Sequence, residues 1–277
     1  GMLGATALVS MWVSNSAAAV LMMPVAMAVL ALSEDHGGRE DPVSYRNLGV
    51  ALLLAVAYGA SIGGIATLIG TPPNALLAGY MAQEHGIEIG FGQWMMVGVP
   101  VALVLLTAAW GTLVLLNPVR LVLPEAGVLF REEKARLGAM SRAEIRVCII
   151  FALAAFAWIF RPLLTPYAPW LSDTGVAIAA AVGLAFTPSG QAPGDRLVTE
   201  AELKRLPWGV LTLFGGGLSL AAAISTSGLA AWLGELLSIL GGWPVAALVV
   251  MVTLAMIFLT ELTSNTASAA TFLPIGG

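Results

Sequence analysis

Long apolar runs separated by short polar loops set the pattern of this chain. The runs lie at 2–32, 47–81, 93–119, 145–160, 172–188, 207–225 and 243–260, and the polar loops at 33–46, 82–92, 120–144, 161–171 and 189–206. A transmembrane helix needs about 20 mostly apolar residues, so the pattern predicts an all-α integral membrane protein with several spans. Residues 226–242 are richer in Gly and less continuous, which predicts a short helix lying along the interface. No basic segment precedes the first run, so it does not read as a cleavable signal peptide.

Composition sharpens this picture. Of 277 residues, 58% are hydrophobic and 10% charged, whereas a soluble domain is about a quarter charged. That excludes an ordinary cytosolic globule, a disordered chain and a nucleic-acid binder. The net charge of −4 says little, but the placement of the bases is informative. Eleven of the twelve fall in or beside loops 33–46, 120–144 and 189–206, and single crossings between these put all eleven on one side, leaving Arg161 on the other. The positive-inside rule makes that side cytoplasmic. The basic 120–144 stretch reads as a solvated amphipathic connector. A lone cysteine, Cys148, rules out a disulfide within the chain and a Cys-based zinc site. His36 and His85 both lie in polar loops, which leaves no material for a histidine-dependent active site at membrane depth.

The two ends of the chain repeat each other. Ser10, then Ser14-Asn15-Ser16-Ala17 and Pro24-Val25, match Thr260, Ser264-Asn265-Thr266-Ala267 and Pro274-Ile275, every position offset by 250 residues. The first copy leads into a cytoplasmic loop, and five crossings separate that loop from the second copy, so the copies have inverted topology. Inverted repeats with sites near the midplane mark secondary transporters. The polar cluster sits near the middle of its run, which predicts a re-entrant hairpin turning at Ser14-Asn15-Ser16. One such cluster alone could equally serve interhelical hydrogen bonding.

A break is predicted within 47–81. Pro72 and Pro73 lack amide N–H groups and disfavour the α conformation before them, so the helix should break near Gly70-Thr71 and restart beyond, around Asn74. Hydroxyl, carboxamide and freed carbonyl oxygens are hard ligands suited to an alkali cation. Amide N–H groups at half-helix N-termini favour an anion. Apart from Arg146 at the edge of its run, no Lys or Arg stands in a predicted span, so cations must accompany the anion. Glu261, the one deep acid, reads either as a proton relay or as a brace for the hairpin tip.

The two Ser-Asn-[Ser/Thr] hairpins and the Gly-Thr-Pro-Pro-Asn break resemble the divalent-anion/sodium symporter family of sodium-coupled dicarboxylate, citrate and sulfate carriers, across essentially the whole chain. The resemblance implies an elevator-type transporter with an inverted repeat, two re-entrant hairpins and a broken helix, forming a homodimer in the inner (plasma) membrane and embedded in the lipid bilayer. Its transport domain would take residues 1–119, with the hairpin, the broken helix 47–81 and helix 93–119; residues 120–144 would be the connector, 145–242 scaffold-type helices, and 243–277 the first part of the second hairpin. A first sodium site would use Ser10, Ser14, Asn15 and Gly70, and a second Thr260, Thr263 and Asn265. Substrate carboxylates would meet Ser14, Asn15, Ser16 and Thr71 from one half and Ser264, Asn265 and Thr266 from the other. The implied ligands are sodium ions and a small divalent anion such as succinate, with no organic cofactor and no catalytic residue.

Two departures stand out. Ser16 occupies a position where the family usually has Thr, and the second Gly-Thr-Pro-like break does not occur before Gly277. Repeat arithmetic implies a parent of about 480 residues, of which this would be an interior fragment that does not transport alone. Competing readings are a sodium-independent dicarboxylate exchanger and a related sulfate, arsenite or metal-citrate transporter. A membrane hydrolase would need a nucleophile with a base at membrane depth, and both histidines lie outside.

Overall fold

The computed structural model describes residues 1–34, 41–119, 135, 138–168, 171–190, 195–199, 202, 204, 206, 208–229, 232, 235, 243–262 and 264–276. Their helices are α1 (Met2–Ser10), α2 (Asn15–Ser33), α3 (Pro42–Ile65), α4 (Pro72–His85), α5 (Phe91–Leu116), α6 (Arg142–Leu164), α7 (Asp173–Phe186), α8 (Trp208–Thr226), α9 (Val245–Leu262) and α10 (Asn265–Gly276). No strand occurs among the described residues; a lone bridge joins Pro188 to Arg196. Five helices, α2, α3, α5, α6 and α9, are long and apolar enough to cross a membrane. Large apolar side chains such as Leu115, Val245 and Phe258 stand mostly exposed on them, the surface expected where lipid is the solvent. Most of the basic connector, His36 and most of the expected interfacial segment 226–242 lie outside the described residues.

The helices fall into two compact units. One comprises Gly1–Thr71 with Gly90–Arg205, the other Pro72–Ile89 with Leu206–Gly277.

In the first unit, α1 and α2 form a hairpin against α3. A Cβ on Gly59 or Gly63 of α3 would strike the carbonyl of Leu3 or Ala7, so α1 runs parallel to α3. One on Gly49 or Gly64 would meet Leu30 or Asn15, so α2 runs antiparallel to it. The chain therefore reverses between Met11 and Ser14. The expected turn at Ser14-Asn15-Ser16 is displaced toward the N-terminus: Ser14 is the N-cap of α2, and Asn15 and Ser16 already belong to its first turn. Ser is a favoured cap because its hydroxyl accepts one of the orphan N–H groups of a helix start, here from Ala17 at 3.3 Å. The helix α1 has only nine residues, about 14 Å of rise and half a hydrocarbon core.

Each later helix of this unit starts on a recognisable device. Asp41 caps α3 by accepting from the Ser44 amide at 3.0 Å, with Pro42 in the first turn. Ser141 and Glu144 form a capping box on α6, and Ser172 caps α7. The start of α5 is held across the fold, because the Asp173 carboxylate accepts from the Phe91 amide at 3.1 Å and pairs with Arg161 at 3.1 Å. Arg161 was expected in a loop; α6 extends to Leu164, and Arg161 lies in its last turn, where a cation complements the helix dipole. Likewise His85 ends α4 rather than lying in a loop. Asp173→Ala leaves the Phe91 N–H and Arg161 without this acceptor and is expected to cost about 2 kcal/mol, more than Asp173→Asn, measured by denaturation in detergent.

In the second unit, α10 packs on α4 and α8 and follows α9. Its start repeats that of α2: the Ser264 hydroxyl accepts from Ala267 at 3.1 Å, and the Ser264 carbonyl accepts from the Ser268 amide at 2.9 Å.

Candidate functional site

The helix α3 unwinds at Ala66, four residues before the expected break, and α4 starts at Pro72. The physical cause is visible in the intervening loop. It folds back on the end of α3 until a Cβ on Gly70 would lie 2.6 Å from the Gly64 carbonyl oxygen. Only residues without a side chain permit that approach. The open carbonyls at the end of α3 are partly satisfied by α5, whose Trp94 indole donates to the Ile65 carbonyl at 2.9 Å.

At this break the hairpin tip meets α3. Ser10, fully buried, donates its hydroxyl to the Ala60 carbonyl at 2.6 Å. The Asn15 carboxamide lies beside three oxygens: Gly70 O at 3.2 Å, Ser10 Oγ at 3.0 Å and Ala60 O at 3.1 Å, all accepting when its NH2 edge faces them. Turned over, the same amide brings Oδ1 within 3.0 Å of the Ser10 hydroxyl. Four oxygens, two of them backbone carbonyls, then converge with a single hydroxyl proton among them. That set has the hard donor chemistry that suits an alkali cation, and it carries no ionised side chain, so a bound cation could leave.

The expected residues divide accordingly. Ser10, Asn15 and Gly70 are brought together, and Thr71 follows Gly70 half-buried. The Ser14 hydroxyl is occupied in capping, and the side chains of Ser14 and Ser16 are exposed. Pro72, Pro73 and Asn74 open α4 in the second unit, with Asn74 buried. In that unit Ser264 caps α10, Asn265 is exposed and Thr266 half-buried. The Thr260 hydroxyl donates to Ile257 in its own helix at 2.9 Å. Thr263 lies outside the described residues.

Two participants escaped the sequence reading. The Ala60 carbonyl is a backbone group inside a helix, which no side-chain motif reports. Thr67 is fully buried and bridges the Met11 carbonyl, at 2.5 Å, and the Gly70 amide, at 3.1 Å. Its place between Gly63-Gly64 and Gly70 was the available signal. Around the tip, Trp12 stacks on Phe91 at 6.2 Å and meets Phe151 edge-on at 5.2 Å, and Phe91 stacks on Trp158 at 5.2 Å. These rings fix the turn from its apolar side. Among the described residues no group of His, Cys, Asp and Glu has the arrangement of a transition-metal site.

Known proteins resemble this chain along its length. A family model described as citrate transporter (CitMHS) matches residues 1–276. The chain is 40% identical over 282 residues to a protein of Staphylococcus saprophyticus subsp. saprophyticus named sodium-dependent dicarboxylate transporter SdcS, covering 99% of this chain and 54% of the relative. It is also 40% identical over 284 residues to a protein of that name from Staphylococcus aureus strain USA300, with the same coverage of each. The chain thus spans about half the length of the curated relatives it matches. Sodium-coupled dicarboxylate carriers, which the two hairpins and the Gly-Thr-Pro-Pro-Asn break resemble, stand among these relatives by name. Matched over residues 1–276, with five helices of spanning length among the described residues, the chain belongs to the citrate transporter family, whose members are multi-pass membrane transporters and not enzymes.

Proposed function

We propose that the full-length protein containing this chain is a secondary active transporter that imports divalent organic anions, dicarboxylates such as succinate, coupled to sodium. The observation that carries this reading is the cluster of Ser10 Oγ, the Asn15 carboxamide, Ala60 O and Gly70 O at a hairpin tip. It is a site for a small hard cation, and it lies in a chain whose relatives are named sodium-dependent dicarboxylate transporters.

The chemistry explains why the ion and the anion travel together. Without a fixed positive side chain, a doubly charged anion at membrane depth is stabilised by half-helix N-termini and by co-bound cations. Ser14, Asn15, Ser16 and Thr71 on the first unit, and Ser264, Asn265 and Thr266 on the second, are the hydroxyl and amide groups assigned to its carboxylates. Ser14 completes the first cation site, and Thr260, Thr263 and Asn265 supply the second. The protein works in the inner (plasma) membrane as a homodimer, by an elevator motion of a domain holding 1–119 and the second hairpin against the helices of 145–242.

Reconstitution of the full-length protein in liposomes tests the reading. Succinate uptake is expected to rise severalfold or more on an inward sodium gradient and to vanish when choline replaces sodium. Sodium-independent counterflow would instead identify an exchanger, and sulfate or citrate flux without succinate flux would move the substrate. No anion flux from a folded protein would overturn it.

A further inference from the structure

The cation-binding reading leaves open what holds three separate backbone segments in register, and Thr67 stands where they meet. The tip of the first hairpin, the end of α3 and the returning Gly70 contribute oxygens to one cluster. Ser10, Asn15 and Ala60 stand in α1, α2 and α3, but the turn that joins α1 to α2 and the Gly70 loop between α3 and α4 are not held by helix hydrogen bonding. Thr67 has no exposed surface, and its hydroxyl is used in both directions. It donates to the carbonyl of Met11, the first residue of the hairpin turn, and accepts from the amide of Gly70, whose carbonyl is a cation-facing oxygen.

We propose that Thr67 is a positioning residue for the cation site: its hydroxyl pins the hairpin tip to the α3–α4 break and aims the Gly70 carbonyl at the Asn15–Ser10 cluster. The inference rests on the transporter reading above. A hydroxyl is required, since a methyl can neither accept from Gly70 nor donate to Met11. A buried amide and carbonyl stripped of that partner turn elsewhere, and the Gly70 carbonyl, across the same Cα in the next peptide, loses the anchor that fixes its direction. Thr67 touches neither ion nor substrate, so its loss should weaken cation binding without slowing a fully loaded transporter.

The experiment uses the full-length protein in liposomes and in detergent. Thr67→Val is nearly isosteric and removes only the hydrogen bonds; Thr67→Ser keeps them. The expected result is a roughly tenfold rise in the sodium concentration giving half-maximal uptake in Thr67→Val, with the maximal rate at saturating sodium within a factor of two, and rescue by Thr67→Ser. Sodium-dependent thermal stabilisation in detergent, which needs no transport, should shift along the same concentration axis. If Thr67→Val does not fold, Thr67→Ala is read in the same way, and its unchanged sodium dependence counts equally against the proposal. A lowered maximal rate at unchanged half-saturation would also overturn it, leaving Thr67 a packing residue. Wild-type protein that ignores sodium in both assays defeats the transporter reading itself, whereas a sodium-responsive wild type with an indifferent Thr67→Val defeats only this inference.

Discussion

Asn15→Ala is expected to lower sodium-driven succinate uptake by the full-length protein about 100-fold or more while leaving the protein folded. The side chain holds Gly70 O, Ser10 Oγ and Ala60 O in one cluster, and alanine deletes the shared partner of all three. A buried polar group left unsatisfied costs about 1–3 kcal/mol, and each 1.4 kcal/mol is about a factor of ten. One lost cation ligand, together with a Gly70 carbonyl no longer held toward the site, therefore reaches the stated magnitude, while the Ala60 carbonyl keeps its bond from Ser10. Stability should change little, because Asn15 sits in the first turn of α2, where the Ser14 cap and not the Asn15 side chain holds the helix start. Asn265→Ala, at the matching place 250 residues on, is expected to abolish uptake as well if the second hairpin also binds ligand. Uptake assays paired with gel filtration and melting decide the matter. Near-normal flux in either variant would reduce that hairpin's asparagine to a packing role.

Much of the fold was legible because membrane helices announce themselves by length and charge. The runs beginning at 93, 145, 172, 207 and 243 each correspond to a helix among the described residues, with ends shifted by a few positions. Those shifts have local causes: the capping box of Ser141 and Glu144 starts α6 before its apolar run, and Arg161 continues that helix because Asp173 pairs with it. The displaced hairpin turn has the same origin. Ser14-Asn15-Ser16 is polar enough to read as a turn, yet serine before a helix is also a cap, and only the hydrogen bond to Ala17 chooses between the two.

The cation cluster was half legible. Ser10, Asn15 and Gly70 carry their chemistry in the side chain or in an evident break, and the 250-residue repeat singles out the first two. The Ala60 carbonyl and the role of Thr67 depend on tertiary approach. Backbone oxygens bear no residue signature, and a threonine within an apolar helix ordinarily returns its hydroxyl to its own backbone, as Thr107 and Thr112 do. What separates Thr67 from those two is the helix end just before it, which frees its hydroxyl for Met11 and Gly70.

Gly63→Ala should then do the greatest damage to the fold of any single methyl added here. Its Cβ would stand 2.3 Å from the Ala7 carbonyl oxygen and 2.6 Å from the Ala7 Cα. These are backbone atoms, so no rotamer change relieves the clash, and α1 as a whole must retreat from α3. Overpacking a tight interface costs about 1–3 kcal/mol, occasionally more, and the retreat adds the loss of the Ser10–Ala60 hydrogen bond three residues further along α1. The expected result is a fall in thermal midpoint of about 5 °C, with loss of uptake. Gly64→Ala makes the contrast, because its Cβ would meet the Asn15 side chain, 2.1 Å from Oδ1. A side chain can swing away, so that protein should melt close to wild type and yet lose uptake as Asn15→Ala does. Gly111→Ala, with open space around its Cβ, should leave both properties intact. Equal melting of the Gly63 and Gly64 variants would show that the α1–α3 contact yields, and that the cation cluster alone depends on these two glycines.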